Sequence, residues 1–197
     1  MTIRLSLICH AATPALRTAT VPDDESVDES GLAAVTAMAA GWEGADRCWS
    51  APERRARETA AALGLVAEID ERLRDCDYGQ WRGMSLRTLQ ADQPAAVQEW
   101  LADPAAAPHG GESVLMLMAR IGGWLDELLL SHPVSLVRVI AVTHPAVIRA
   151  AIVHALGAAP AAFWRIDVAP LGCVCLSGRI GRWNLAAMEQ PERPQRR

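Results

Sequence analysis

The stretch Leu5-Ser6-Leu7-Ile8-Cys9-His10-Ala11-Ala12-Thr13 decides the fold. Ile3, Leu5 and Leu7 alternate with Arg4 and Ser6, and Ile8 extends the apolar run. This period-two pattern predicts a short strand. The run breaks at a histidine followed by small residues. Open α/β sheets place their ligand crevice at the carboxyl ends of their strands, so His10 stands where a ligand-facing group belongs. On this stretch alone, a strand-end histidine bonded to nearby backbone is the plainer reading.

A chain of 197 residues can bury a sizeable core. It reads as one domain over 1–188, with the final segment 189–197, EQPERPQRR, expected to be a disordered tail. No uncharged apolar run of membrane-spanning length occurs, and the N-terminus lacks a signal-peptide layout. The net charge of −4 argues against non-specific nucleic-acid binding. The five cysteines, Cys9, Cys48, Cys76, Cys173 and Cys175, do not form a metal-ligand spacing. They point to a reducing, cytoplasmic compartment. Cys173 and Cys175 share a face of a predicted strand and read as small buried residues. No metal, cofactor, membrane or nucleic-acid partner is expected.

The 14–29 segment reads as an acidic surface loop, followed by an Ala-rich helix from Ser30 to Ala40. Arg47-Cys48-Trp49 is a second strand candidate. Ser50-Ala51-Pro52-Glu53 then has the spacing of a capping box, opening a helix that stops at Gly64. Arg54, Arg55 and Arg57 crowd the start of that helix, where the dipole disfavours cations unless an anion is bound. Arg54 and Arg57 read as solvated. Val66–Ile69 is a third strand candidate, Arg72–Gly83 a loop, and 85–101 one or two helices around Pro94. Glu112–Leu130 is the clearest amphipathic helix, with Val114, Leu117, Met118, Ile121, Trp124, Leu125 and Leu128 on one face. Gly122-Gly123 weakens it, which points to close packing. Arg138–Val142 is a buried strand ending at Thr143-His144-Pro145, and Pro145 opens a helix that stops at Gly157. Phe163–Val168, Leu171–Leu176 and Ile180–Trp183 read as further strands.

His144 thus stands where His10 stands, just past a strand, and the helix start carrying Arg55 holds the equivalent place after the second strand. If these strands neighbour one another in a parallel sheet, His10, His144 and Arg55 converge on one crevice. Two imidazoles and a guanidinium suit a phosphoryl group. The guanidinium gives bidentate charge-assisted bonds, one imidazole can attack phosphorus, and the other can neutralise developing charge. His109, His132 and His154 read as structural or surface residues.

Five segments in order then resemble the histidine phosphatase superfamily, in its phosphoglycerate mutase-like branch. They are LICHAAT, SAPERRARETAAALG, LRDCDYGQWRG, GGES and VIAVTHPAVIRA. The resemblance implies a three-layer α/β/α sandwich around a mostly parallel sheet. It implies that His10 becomes phosphohistidine, Arg55 holds phosphate, His144 stabilises the transferring group, and Asp75 is the general acid, with Asp77 as a loop hydrogen-bonder. The chain departs from the pattern at Cys9, which replaces the family's first Arg, and at Ala11, Ala12, Leu16 and Pro145. Loss of a preorganised donor costs roughly 10²–10³ in rate. Arg17 is the candidate substitute cation, and Arg74 the second choice.

The implied function is a metal-independent phosphatase acting on a small phosphorylated metabolite. The short interval from Trp81 to Gly110 favours a phosphatase over a mutase. Met84, Leu86, Leu89 and Trp100 in it read first as packing and second as an apolar lid. The alternative is a catalytically impaired member that binds anions or partners, because Cys9 replaces the Arg.

Overall fold

A computed structural model of the chain describes residues 2–38, 42, 44–131, 136–179 and 181–189. In chain order the main elements are β1 (Thr2–Cys9), α1 (Pro14–Arg17), α2 (Glu29–Met38), β2 (Arg47–Ser50), α3 (Arg54–Ala62) and β3 (Glu68–Ile69). They continue with α4 (Leu86–Asp92), α5 (Pro94–Ala102), α6 (Val114–Ser131), β4 (Leu136–Thr143), α7 (Pro145–Leu156), β5 (Cys173–Arg179) and β6 (Arg182–Glu189). The strands form one sheet in the order β3-β2-β4-β1-β5-β6. β3, β2, β4 and β1 run parallel, while β5 and β6 add an antiparallel edge. The α/β sandwich with a mostly parallel sheet is therefore the observed architecture. Right-handed crossovers put α2 and α3 on one face and α6 and α7 on the other. On the latter face, Trp124 of α6 meets Trp49 of β2 edge-on, with ring centroids 5.8 Å apart.

The core follows the sequence pattern. Leu5, Leu7, Ile8 and Cys9 of β1 are buried, as are Val139, Ala141 and Val142 of β4. The apolar stripe of α6 is buried at Val114, Leu117, Ile121, Trp124, Leu125 and Leu128. Gly122 is required there, because a Cβ would lie 2.7 Å from Nδ1 of His154 on α7. Gly123 faces open space and has no such reason. His154 is thus a helix-contact residue, and its Nε2 pairs with Asp126 at 3.1 Å.

Several expected elements differ. The capping box does not form. Ser50 ends β2 and its hydroxyl bonds the Ala51 carbonyl (2.9 Å), while α3 begins only at Arg54. The first helical N–H, that of Arg54, goes to Asp24 Oδ1 instead (2.8 Å). The 14–29 loop contains α1, started by Pro14 and capped by the Thr13 hydroxyl. Phe163–Val168 is not a strand: Pro160–Arg165 is a 3₁₀ helix opened by proline, with Phe163 buried beneath it. The third strand shortens to Glu68–Ile69, and the last one runs on to Glu189. Glu189 is therefore ordered within β6, while the rest of the expected tail, 190–197, lies outside the described residues, as does His132. No described helix is long and apolar enough to cross a membrane.

Candidate active site

Strand register brings the two histidines together. β1 and β4 are parallel neighbours with Cys9 opposite Thr143. The next residues, His10 and His144, therefore leave the sheet side by side. The His10 backbone N–H donates to the Thr143 carbonyl (2.9 Å), and the two imidazole centroids lie 5.2 Å apart. β2 lies on the other side of β4, with Ser50 opposite Val142. That register delivers the start of α3 to the same end of the sheet, with Arg55 in its first turn.

All the groups at this centre are withdrawn from water. His144 is fully buried, Arg55 is 2% exposed, His10 7% and Asp75 8%. The Arg55 Nη2 donates to Asp75 Oδ2 at 2.7 Å, and the same oxygen lies 3.6 Å from His144 Nδ1. Arg55 Nε and Nη1 are buried and have no hydrogen-bond partner among the described residues, so two nitrogens of the guanidinium have unfilled N–H groups.

His10 is held as a neutral base. Its Nδ1 lies 2.7 Å from the Ala11 carbonyl, so that nitrogen carries the proton and Nε2 keeps its lone pair. Burial, together with the nearby His144 and Arg55, pushes the His10 pKa down to about 3. Its strand end is braced by Leu171, whose N–H donates to the Cys9 carbonyl (3.1 Å). Leu171 sits at φ 60, a left-handed conformation that costs a non-glycine residue. The sequence offered no sign of this brace.

Sequence reasoning also missed Glu53, which it assigned to a helix cap. Its Oε2 accepts from His144 Nε2 (2.8 Å), and its Oε1 accepts the Asp75 backbone N–H (2.9 Å). Burial opposes ionisation of this carboxyl, yet the bonds to His144 and the Asp75 N–H hold its pKa at about 2. A further acid, Glu25, approaches Arg55 Nη1 at 4.0 Å. Glu53 lies within the quoted helix-start segment, so its position was visible while its partners were not.

Asp75 is placed by a second ion pair. Arg120 of α6 forms a fork with Glu112, with Nε to Oε1 at 2.9 Å and Nη2 to Oε2 at 2.6 Å. The same guanidinium donates to the carbonyls of Arg72 (2.6 Å), Arg74 (3.0 Å) and Asp75 (3.3 Å). Thr143 adds a hydroxyl bond to the Leu73 carbonyl (2.8 Å), tying the loop to β4. Beyond Asp75 the chain passes so close to the 109–111 segment that a Cβ on Gly79 would lie 2.1 Å from the His109 carbonyl oxygen. Asp77 accepts from Gly79 N–H and from Arg82, a loop-stabilising role. His109 is buried against Trp81 and Trp100, and its Nδ1 accepts the Gly111 N–H (3.0 Å). Leu89 and Trp100 are likewise buried packing residues.

Cys9 is fully buried, and its thiol pKa is pushed up, first by burial and then by the Asp75 charge. Arg17 does not join the cluster. Its side chain is 56% exposed and is bonded to Asp28 and Ser30. It is the last residue of α1, on the surface, where Asp28 and Ser30 hold its guanidinium. Arg74 is also largely exposed, with Nη2 3.9 Å from Glu112.

Together the layered sheet and the paired strand-end histidines define an α/β protein with a buried, histidine-centred polar site. A family model described as histidine phosphatase superfamily (branch 1) matches residues 5–191, and the chain belongs to that superfamily. It is 42% identical over 84 residues to a glucosyl-3-phosphoglycerate phosphatase of Mycobacterium tuberculosis, a match covering 41% of this chain and 38% of that protein. It is 29% identical over 124 residues to phosphoserine phosphatase 1 of Hydrogenobacter thermophilus, covering 60% and 58%. These alignments span less than two thirds of either relative. Among solved structures, the native mycobacterial glucosyl-3-phosphoglycerate phosphatase superposes with a TM-score of 0.85 at 28% identity, covering 97% of this chain and all of that one.

Proposed function

We propose that the protein is a metal-independent phosphatase that hydrolyses a small phosphorylated metabolite through a phosphohistidine on His10. The observation that carries this reading is the neutral, buried His10 facing His144 beside the unfilled donors of Arg55. The phosphatase names of the relatives support it, as do their small phosphorylated substrates.

An arriving phosphate competes with Asp75 for Arg55, because a guanidinium binds a phosphate edge as readily as a carboxylate. Once displaced, the Asp75 carboxyl is free to face the ester and, carrying a proton taken up from solvent, to serve as the acid. His10 Nε2 then attacks phosphorus. The ester P–O bond breaks, and the leaving oxygen takes the Asp75 proton. His144, held by Glu53, supplies the electrostatic partner for the transferring group. Water next attacks the phosphohistidine and passes its proton to Asp75, restoring the start. Arg17 has no part in this scheme, since its guanidinium is committed to Asp28 and Ser30.

One observation favours a second reading, a catalytically impaired member. The place of the missing Arg is filled by a buried thiol, two carboxylates, Glu25 and Asp75, face the single Arg55, and a third, Glu53, is bonded to His144. Turnover of an aryl phosphate decides between the two. The phosphatase reading expects activity and an acid-labile phosphoenzyme that both vanish in His10→Ala. A well-folded protein inert toward aryl and alkyl phosphates supports the impaired reading.

A further inference from the structure

Away from the histidine pair, the sheet face that carries α2 opens into a cavity of about 600 Å³. It is lined in part by Arg4, Ser6, Trp42, Arg138, Cys175 and Ser177. Strand register arranges these groups in two rows. Arg138, Arg4 and Ser177 are successive partners across β4, β1 and β5, and so are Ile140, Ser6 and Cys175. Like charges directly opposite one another on neighbouring strands are destabilising. Both arginines are exposed, and neither guanidinium has an ion pair among the described residues. Asp46 is bonded to the backbone N–H of Arg138 (2.8 Å). The cavity therefore holds two guanidinium groups without an ion pair among the described residues.

It also holds a thiol with two hydrogen-bonding groups beside it. Cys175 Sγ lies 4.0 Å from Cys173 Sγ and 3.8 Å from Ser6 Oγ. The contact with Cys173 draws the Cys175 thiol below its usual range, against the opposing effects of burial and of the Glu189 charge. Cys9, Cys76 and Cys173 are buried, so Cys48 and Cys175 are the thiols with access to solvent. Burial pushes the Cys48 thiol up. The expectation that both strand cysteines are small buried residues thus holds for Cys173, while Cys175 is half-buried.

We propose that Cys175 is a modification site for a small anionic disulfide, drawn into this cavity by Arg4 and Arg138. The Cys175 thiolate attacks one sulfur of the disulfide. The reagent's S–S bond breaks, a mixed disulfide forms on Cys175, and the other half leaves as a thiolate. The disulfide itself is the oxidant. This site is independent of the phosphatase reading.

The test compares two alkyl disulfides of similar reactivity, the dianion 3,3′-dithiodipropionate and the neutral bis(2-hydroxyethyl) disulfide. Each rate is normalised to that with free mercaptoethanol. The expected result is a single fast adduct, mapped to Cys175 by mass spectrometry and absent in Cys175→Ser. The dianion should react about tenfold faster than the neutral reagent. That preference should fall in Arg4→Gln and Arg138→Gln, and in the unaltered protein it should fall with added salt. The salt series keeps the test valid should an arginine variant fold poorly. A first adduct on Cys48, or equal normalised rates for the two reagents, overturns the proposal. A preference insensitive to both salt and the arginine substitutions overturns it too.

Discussion

Glu53 and His144, ninety-one residues apart in the chain, meet at 2.8 Å between carboxylate and imidazole, with the imidazole fully buried. The pair joins the start of α3 to the start of α7. A second oxygen of Glu53 holds the Asp75 backbone, so one carboxylate fixes both the second histidine and the proposed acid.

This pair should be visible in acid stability. The Glu53 pKa is depressed from 4.5 to about 2. A depressed carboxyl stabilises the fold above its unfolded value and loses that contribution as pH falls through its folded value. The melting temperature of Glu53→Gln should therefore lie below that of the unaltered protein by a constant margin above pH 5. Loss of a hydrogen bond to a charged group corresponds to about 1–3 kcal/mol. The margin should shrink between pH 4.5 and pH 2. An offset unchanged down to pH 2 would show that the carboxylate's charge is irrelevant to it.

His10 makes a second pH prediction. Its pKa falls from 6.5 to about 3, so the ring is neutral across the ordinary working range. The rate of phosphoenzyme formation, corrected for the substrate's second ionisation, should show no acid limb near pH 6.5 arising from the nucleophile. The unfolded chain takes up this proton between pH 6.5 and 3 and the folded one does not, so the group lowers stability as pH falls through that window. His10→Asn should remove that slope from the pH dependence of unfolding. A single-turnover profile with an imidazole-like limb at pH 6–7 would count against the buried neutral ring.

How far the sequence carries can be read from these residues. His10, His144 and Arg55 each follow a strand with a clear apolar pattern, and parallel pairing of those strands is enough to bring them together. Local patterning encodes that much. It does not encode partners. Glu53 satisfied a capping pattern three residues after Ser50, and only the tertiary fold shows its carboxylate drawn to a buried imidazole. Arg120 sits on the helix face that turns toward the Asp75 loop, where periodicity gives it no reason to be more than a surface charge. The 163–168 segment failed for a related reason. A short run with one aromatic pair and two β-branched residues is compatible with a strand, but Pro160 had already set a 3₁₀ turn. Arg17 failed because spacing cannot tell an arginine that turns inward from one captured by Asp28.

Cys9→Arg tests whether the missing cation limits turnover. The Asp75 carboxylate acts on the Cys9 thiol, so the new guanidinium has a counter-charge at hand before phosphate arrives. Restoring a preorganised donor should raise kcat/KM for an aryl phosphate by roughly 10–10². Cys9 is fully buried in a packed core, so the larger side chain should also lower stability by about 1–3 kcal/mol. An unchanged or lower rate in a folded Cys9→Arg protein would mean that Arg55 and the histidines already supply the necessary field.

Arg120 should matter to the acid step without touching substrate. Its fork to Glu112 is largely buried, with side chains 11% and 7% exposed, and its remaining N–H groups hold the carbonyls of the loop that carries Asp75. Breaking a buried pair by removing one partner is costly, so Arg120→Met should lose about 3 kcal/mol of stability. Arg120→Lys should recover only part of it, because an ammonium cannot reproduce the bidentate fork. The telling readout is the leaving group. An alkyl alcohol needs a proton as it departs, whereas a nitrophenolate does not. Arg120→Met and Asp75→Asn should therefore both slow phosphoenzyme formation from an alkyl phosphate far more than from p-nitrophenyl phosphate, by roughly 10²-fold or more for the aspartate. If Arg120→Met slows the two substrates equally, the arginine supports the fold in general and does not position the acid. If Asp75→Asn does so, the proton comes from another group, and Glu25, 4.0 Å from Arg55, becomes the residue to replace next.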